Sequence, residues 1–302
     1  MGHVTDDPSR RSFLKQGAKV AGGFVAGAWA SGRATDALGA GAGEMRFGLV
    51  TYLWGRDWKV PALIRNCHQA GAKGVELRVN HEHGVNPSLG RAMRREVRLR
   101  FQNSPVELVG FGTNAAFHYS DEERLREAIR KAKRYVVLSR DCGGSGVKVK
   151  PNALPDGVPK EQTIEQIGTS LNELARFGAD YGQEIRVEVH GSETQQLPVI
   201  DQIFSVADHP NVGVCWNCNS EDLDGEGLEY NFDLVKDRLA ESIHVREFNV
   251  GDYPYQQLFN LLTDSGYDGW VLMEARTEPA NRIKALKEQR KLFDQMTAQA
   301  QS

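Results

Sequence analysis

What most constrains this chain is an alternation that keeps returning. In Ile185-Arg186-Val187-Glu188-Val189-His190 every second residue is aliphatic and every other one is ionisable. Drawn out as a strand, it puts Ile185, Val187 and Val189 on one face and Arg186, Glu188 and His190 on the other. The pattern recurs at Val75-Glu76-Leu77-Arg78-Val79-Asn80, Val147-Lys148-Val149-Lys150 and Ile243-His244-Val245-Arg246. One such strand fits a surface hairpin with its charges in water. Several in one chain predict a barrel, with helices over its aliphatic outside and charged side chains converging near one mouth.

The segments between these strands support that architecture. Strands are expected over 45–53, 74–79, 106–112, 146–150, 184–190, 212–217, 242–247 and 269–275. Helices are expected over 60–70, about 88–102, 120–140, 160–181, 198–207, 232–239, 255–265 and 280–298. Ser120, with Glu123 three residues on, reads as a capping box opening the third helix. Two joints share a device, a glycine stop followed by a second glycine opening the next strand: Gly71 with Gly74, and Gly266 with Gly269. Eight strands alternating with eight helices make an α/β chain, a single (β/α)₈ barrel over 44–302. A doubly wound open sheet would carry a glycine-rich phosphate turn after its first strand, and Thr51-Tyr-Leu-Trp-Gly55 offers none.

Residues 1–43 read as an address. Ser9-Arg10-Arg11-Ser12-Phe13-Leu14-Lys15 resembles the twin-arginine export signal; a Gly/Ala-rich apolar run and Ala28-Trp29-Ala30, a small-x-small cleavage site, follow it. The resemblance implies export in the folded state to the periplasm. The run is too short and glycine-rich for a membrane span, so no stable insertion is expected after cleavage. A net charge of -3 gives no electrostatic case for nucleic acid. Cys67, Cys142, Cys215 and Cys218 are too few for a disulfide scaffold, and Cys215-Trp-Asn-Cys218 stands without a second pair. Nothing in the composition opposes a homo-oligomer.

Barrel enzymes place their chemistry at the carboxyl ends of the strands. Those ends carry Arg78, Lys148, Glu188, His190, Asn217, His244, Arg246 and Glu274. Two glutamates, a histidine and an amide on four successive strands make a hard-metal site, suited to Mn²⁺, Mg²⁺, Co²⁺ or Zn²⁺, with Mn²⁺ favoured. The bland alternatives are a barrel-interior ion pair of Glu188 with Arg186 or Lys148, and a hydrogen-bonded interior His244. Arg78, Lys148, His190 and Arg246 would hold substrate hydroxyls or balance the carboxylates. Trp54, Phe117 and His118 would stack on a sugar or pack the rim.

Val187-Glu188-Val189-His190, Val214-Cys-Trp-Asn217, Ile243-His244-Val245-Arg246-Glu247 and Val271-Leu-Met-Glu274 together resemble the xylose isomerase-like TIM barrels. That superfamily includes sugar phosphate isomerases and epimerases and family-2 apurinic-site endonucleases. The resemblance implies one metal held by Glu188, Asn217, His244 and Glu274, with the two glutamates as the proton-transferring pair. Asn217 departs from the aspartate usual there and removes one negative charge. The expected activity is proton abstraction beside a carbonyl of a small carbohydrate, ending in isomerisation or epimerisation. A lyase-type β-elimination on a 3-keto-glycoside shares the same site, and a non-catalytic carbohydrate-binding barrel is the rival from another class. The endonuclease reading needs a multi-zinc cluster, for which only His81, His83 and His118 offer themselves. Acids at Glu247 and Glu278 in the last two loops, together with export, point to an unphosphorylated substrate.

Overall fold

The computed structural model describes residues 44–302, so the expected export signal lies outside the described residues. Eight strands appear in chain order: β1 Arg46–Val50, β2 Gly74–Arg78, β3 Glu107–Ala116, β4 Gly146–Lys150, β5 Glu184–Glu188, β6 Val212–Cys215, β7 Ser242–Val245 and β8 Trp270–Met273. The helices are α1 Val60–Ala70, α2 Arg91–Gln102, α3 Glu122–Cys142, α4 Lys160–Asp180, α5 Leu197–Val206, α6 Leu228–Asp233, α7 Tyr255–Asp264 and α8 Arg282–Ala300. The strands pair in parallel, in the order β6-β5-β4-β3-β2-β1-β8-β7. The two ends of this sheet meet where Ala240 N donates to Val214 O and His244 N to Trp216 O, each at 2.8 Å. The result is a single, nearly closed (β/α)₈ barrel.

The alternation explains the layering. Phe47, Leu49, Val75, Leu77, Ile185, Val187, Val271 and Met273 are fully buried in the large core between strands and helices. Each such side chain contributes about 1.5–3 kcal/mol by leaving water. A separate small cluster of Val50, Val109, Trp270 and Leu272 plugs the inside of the barrel. The ionisable members of each strand share that inside, which leaves them away from solvent and dependent on one another.

Three local expectations change. The cap of α3 is Asp121, whose carboxylate accepts from Arg124 N at 2.7 Å; Ser120 lies one residue too early to reach that amide. The helix expected over 232–239 begins earlier, as α6, and ends in a separate 3₁₀ turn, Lys236–Arg238. Leu228, Phe232 and Val235 are buried at i, i+4 and i+7, so the apolar face starts at Leu228. Finally, β6 stops at Cys215, and Asn217 bridges instead to His244 on β7.

Candidate active site

Glu188 ends β5, His244 lies on β7 and Glu274 follows β8. One ligand atom from each lies within 4.8 Å of the others, a group able to hold a divalent metal. Asn217 is also buried, its Nδ2 3.4 Å from both Glu188 Oε1 and the Val189 carbonyl. The four residues singled out from the sequence therefore converge on one place at the carboxyl end of the barrel.

Their environments are unequal. Glu188 is clamped: Lys148 Nζ donates to Oε2 in a fully buried ion pair, and Lys150 Nζ stands 3.5 Å from the same oxygen. Burial opposes its charge, but Lys148, His244 and Lys150 hold the carboxyl well below the usual carboxylate range. His244 Nε2 stands 3.3 Å from Glu76 Oε2, while its Nδ1 makes no hydrogen bond and lies 3.9 Å from Glu188 Oε1. Glu274 is 6% exposed, and no side-chain hydrogen bond or ion pair reaches it among the described residues. A buried ring nitrogen without a partner is costly, and the Glu274 carboxylate stands near it with no ion pair among the described residues. A cation between them would remove that penalty, and two carboxylates with an imidazole suit hard or borderline divalent ions. Glu76 then orients the ring from its far nitrogen, as carboxylates behind metal-binding histidines do.

The rim is built by a short parallel ribbon, Asn152–Ala153 with Gly191–Ser192, which ties the ends of β4 and β5 together. Only glycine fits at 191: φ is 106° and a Cβ there would lie 2.0 Å from the Asn152 carbonyl oxygen. Beside this ribbon, His190 is half-buried with Nδ1 unpartnered, and burial pushes its pKa down to about 4. Arg78 donates to Asn114 Oδ1 at 3.1 Å, and Arg246 to Asn219 Oδ1 at 3.1 Å. His118 is part-buried against Tyr119, with ring centroids 4.3 Å apart. All four remain at the mouth.

Other residues take different places from those expected. Trp54 is 1% exposed and donates its indole N–H to the Thr277 carbonyl at 2.9 Å; it seals the β1 and β8 loops and has no face free for a sugar. Phe117 is likewise fully buried. Lys148 lies beneath Glu188 at 0% exposure, so it balances the carboxylate rather than meeting a hydroxyl. His83 uses both ring nitrogens, Nε2 with the Arg78 carbonyl at 2.7 Å and Nδ1 with Val85 N at 3.0 Å. It cannot serve a multi-zinc cluster. All four cysteines are buried and free. Burial raises the Cys215 and Cys218 thiols, which makes neither a redox pair.

Three participants were not assigned to the centre from the sequence: Glu76, Lys150 and Glu247. Glu76 was findable, because it is in phase with Arg78 on the ionisable face of β2. Lys150 was equally visible at the end of β4, but nothing local shows that it reaches Glu188. Glu247 reads as an exposed acid in a loop, yet it is 3% exposed. Its carboxylate accepts from the backbone N–H groups of Arg276 and Thr277 at 2.7–3.1 Å and ties the β7 loop to the β8 loop.

Fold and centre together define a parallel α/β barrel with a buried ionic cluster at its carboxyl end. The chain belongs to the xylose isomerase-like TIM barrel family, which matches residues 64–296. Among curated relatives it is 22% identical to an inosose dehydratase of Clostridium beijerinckii over 243 residues, 70% of this chain and 80% of that one. Among solved structures it resembles the IolI protein with a bound zinc atom (TM-score 0.71, 14% identity, 85% of this chain and 99% of the other). It also resembles 3-keto-D-glucoside 4-epimerase from E. coli (TM-score 0.69, 14% identity, 83% and 100%).

Proposed function

We propose that this chain is a divalent-metal-dependent enzyme that removes a proton beside the carbonyl of an unphosphorylated sugar or ketosugar. The observation that carries the reading is the convergence of Glu188, His244 and Glu274, with His244 Nδ1 and the Glu274 carboxylate left unpartnered in a buried site. Glu188, His244 and Glu274 would hold the ion, with Asn217 beside Glu188; Mn²⁺ is the expected one. When bound, such an ion polarises a carbonyl and the hydroxyl next to it, which acidifies the intervening C–H. Glu274, free of protein partners, takes that proton. Glu188, three strands round the barrel, is the second carboxylate, and His190, Arg78 and Arg246 line the mouth where hydroxyls and enolate charge would sit. The names of the similar proteins, a 3-keto-D-glucoside 4-epimerase and an inosose dehydratase, support a carbohydrate substrate.

A second outcome shares the first step. Lys148 and Lys150 both stand on Glu188 and hold its carboxyl well below the usual carboxylate range, whereas no lysine pairs with Glu274 among the described residues, so the two carboxylates are not an evenly matched pair for returning a proton to the opposite face. That asymmetry favours elimination, in which the proton lost to Glu274 is followed by departure of a β-hydroxyl or β-glycosyl oxygen. Lys150, 12% exposed beside Glu188, is placed to donate to the leaving oxygen.

The unphosphorylated substrate has its own support. Barrels often bind phosphate on backbone amides in the loops after strands seven and eight. Here the Arg276 and Thr277 amides are already taken by the Glu247 carboxylate, an internal anion. Export through the twin-arginine route, which we also propose, would bring the enzyme to unphosphorylated sugars. The test is a paired assay in D₂O with Mn²⁺-loaded protein on ketosugars, inososes and 3-keto-glycosides and on their phosphorylated counterparts, read by NMR. Deuterium should enter beside the carbonyl of the unphosphorylated compounds, with inverted or dehydrated product following. Faster turnover of the phosphates, or exchange that survives metal removal, would overturn the reading.

A further inference from the structure

Helix α2 breaks the rules for a stable solvated helix. Its residues Arg91–Gln102 include five arginines and one glutamate, with no acid in the first turn. Arg91, Arg94 and Arg95 crowd the amino-terminal end, where the helix dipole disfavours cations. Arg91, Arg95 and Arg98 recur at i, i+4 and i+7, a like-charge stripe that weakens the helix. The structure shows no compensation: Arg94 pairs with Asp141 and Arg100 with Glu96, but no side-chain hydrogen bond or ion pair reaches Arg91, Arg95 or Arg98 among the described residues. The stripe instead lines a groove of about 710 Å³ between α2 and α3, with Arg140 on its far wall. A local cost without a structural return marks a surface built for contact.

The same molecule carries the complement. The 220–230 segment, Ser-Glu-Asp-Leu-Asp-Gly-Glu-Gly-Leu-Glu-Tyr, runs from a 3₁₀ turn after β6 into the start of α6 and holds five acids and no base, of which Asp222 is buried against Tyr253. Asp224, Glu226 and Glu229 are exposed, with no side-chain partner among the described residues. Large exposed apolar side chains sort the same way. Five stand out among the described residues; Met93 and Leu99 lie on α2, Leu223 and Tyr230 on the acidic segment, and only Val250 lies elsewhere. The acidic stretch therefore joins one sign of charge to apolar surface, while on α2 Leu99 borders the arginine stripe and Met93 points away from the groove by helical spacing. Helix α2 stands between β2 and β3, and the acidic segment follows β6, well round the barrel ring, so one copy cannot fill its own groove.

We propose that a second copy of this chain docks its 220–230 segment into the arginine groove between α2 and α3. Because two different patches meet, the contact is head-to-tail, and it closes into a ring or continues as an open chain of copies. Arg91 and Arg95 present forked donors about 6 Å apart along the helix, from its 1.5 Å rise. Asp224 and Glu226 flank Gly225 (φ 65°) on a tight turn closed where Gly227 N donates to the Asp224 carbonyl at 3.2 Å, and both are exposed carboxylates of the kind such forked donors grip.

Sedimentation of the full chain across a range of concentrations tests this. The wild type should associate at about 0.05 M salt, and at least about tenfold more weakly at about 0.5 M. A doubly reversed groove (R91E with R95E) should sediment as a monomer, and so should a doubly reversed acidic segment (D224R with E226R). Mixed, the two variants should pair, because each supplies the surface the other lacks; misfolded proteins would not. A wild type that stays monomeric at low salt overturns the proposal. So do variants that still self-associate, and so does a monomeric wild type that uses the groove for an added acidic peptide or for anionic phospholipid vesicles.

Discussion

The barrel encloses two buried ionic clusters, and residues only two apart on β5 belong to different ones. At the amino end, Arg186 is completely partnered. Nε meets Glu184 at 2.7 Å, one terminal nitrogen the Val109 carbonyl at 3.1 Å, and the other Ser145 Oγ at 2.7 Å and Glu241 at 3.0 Å. At the carboxyl end, Glu188, His244, Glu76 and Glu274 are also buried, but among the described residues His244 Nδ1 and Glu76 Oε1 have no hydrogen-bond partner and Glu274 has none on its side chain. Both clusters come from one alternation. What separates them is satisfaction of polar atoms: the full set holds the structure together, and the deficient set is shaped for something the chain does not itself supply.

The sharpest way to break this contrast is to neutralise Glu274. Glu274→Gln keeps the shape and removes the base, so kcat on the deuterium-exchanging substrate should fall by about 10²–10⁴-fold. In urea, the metal-free variant should be at least as stable as its parent, because an unpaired buried carboxylate has gone. Retained activity, or a large loss of metal-free stability, would place Glu274 in the structural class. The mirror change is Arg186→Ala, which removes the buried guanidinium that joins Glu184, Glu241, Ser145 and the Val109 carbonyl and leaves Glu241 to Arg46 and Glu184 to the Glu241 backbone N–H. The metal-free protein should lose about 3 kcal/mol in urea unfolding, while the KM of whatever survives folding stays near the parent's. Little change in stability would show that the amino-end cluster is not the fastening it looks like.

Much of this was legible in the sequence. A period of two recurring on several strands pointed to a barrel with an apolar outside and an ionic inside, and Glu188, His244 and Glu274, in phase at strand ends, were expected to fall near one another. What could not be read was which interior charges meet. Lys148 and Arg186 are in register on β4 and β5, yet Lys148 reaches up to Glu188 and Arg186 reaches down to Glu184, a matter of side-chain direction that spacing does not encode. Trp54 misled because an aromatic at a strand mouth looks the same whether it faces a ligand or a neighbouring loop. Glu247 misled for the opposite reason: a loop acid whose partners are backbone amides of another loop has no sequence signature.

The finest test turns on Asn217, the one position at which the site lacks an expected charge. With the amide in place, Nδ2 stands 3.4 Å from Glu188 Oε1, a weak contact that asks nothing of a metal. Asn217→Asp puts a third carboxylate beside Glu188 and Glu274, so its effect should change sign with metal. Without the ion, like charges in a buried site should destabilise the fold. With the ion, a carboxylate is a stronger ligand than an amide, and affinity measured by competition with a chelator should rise about tenfold. Unfolding free energy followed against Mn²⁺ concentration should therefore start below the parent's and climb more steeply as RT ln(1 + [Mn²⁺]/Kd) grows. Two curves that run parallel would mean that position 217 never touches the ion, and that Glu188, His244 and Glu274 make the site alone.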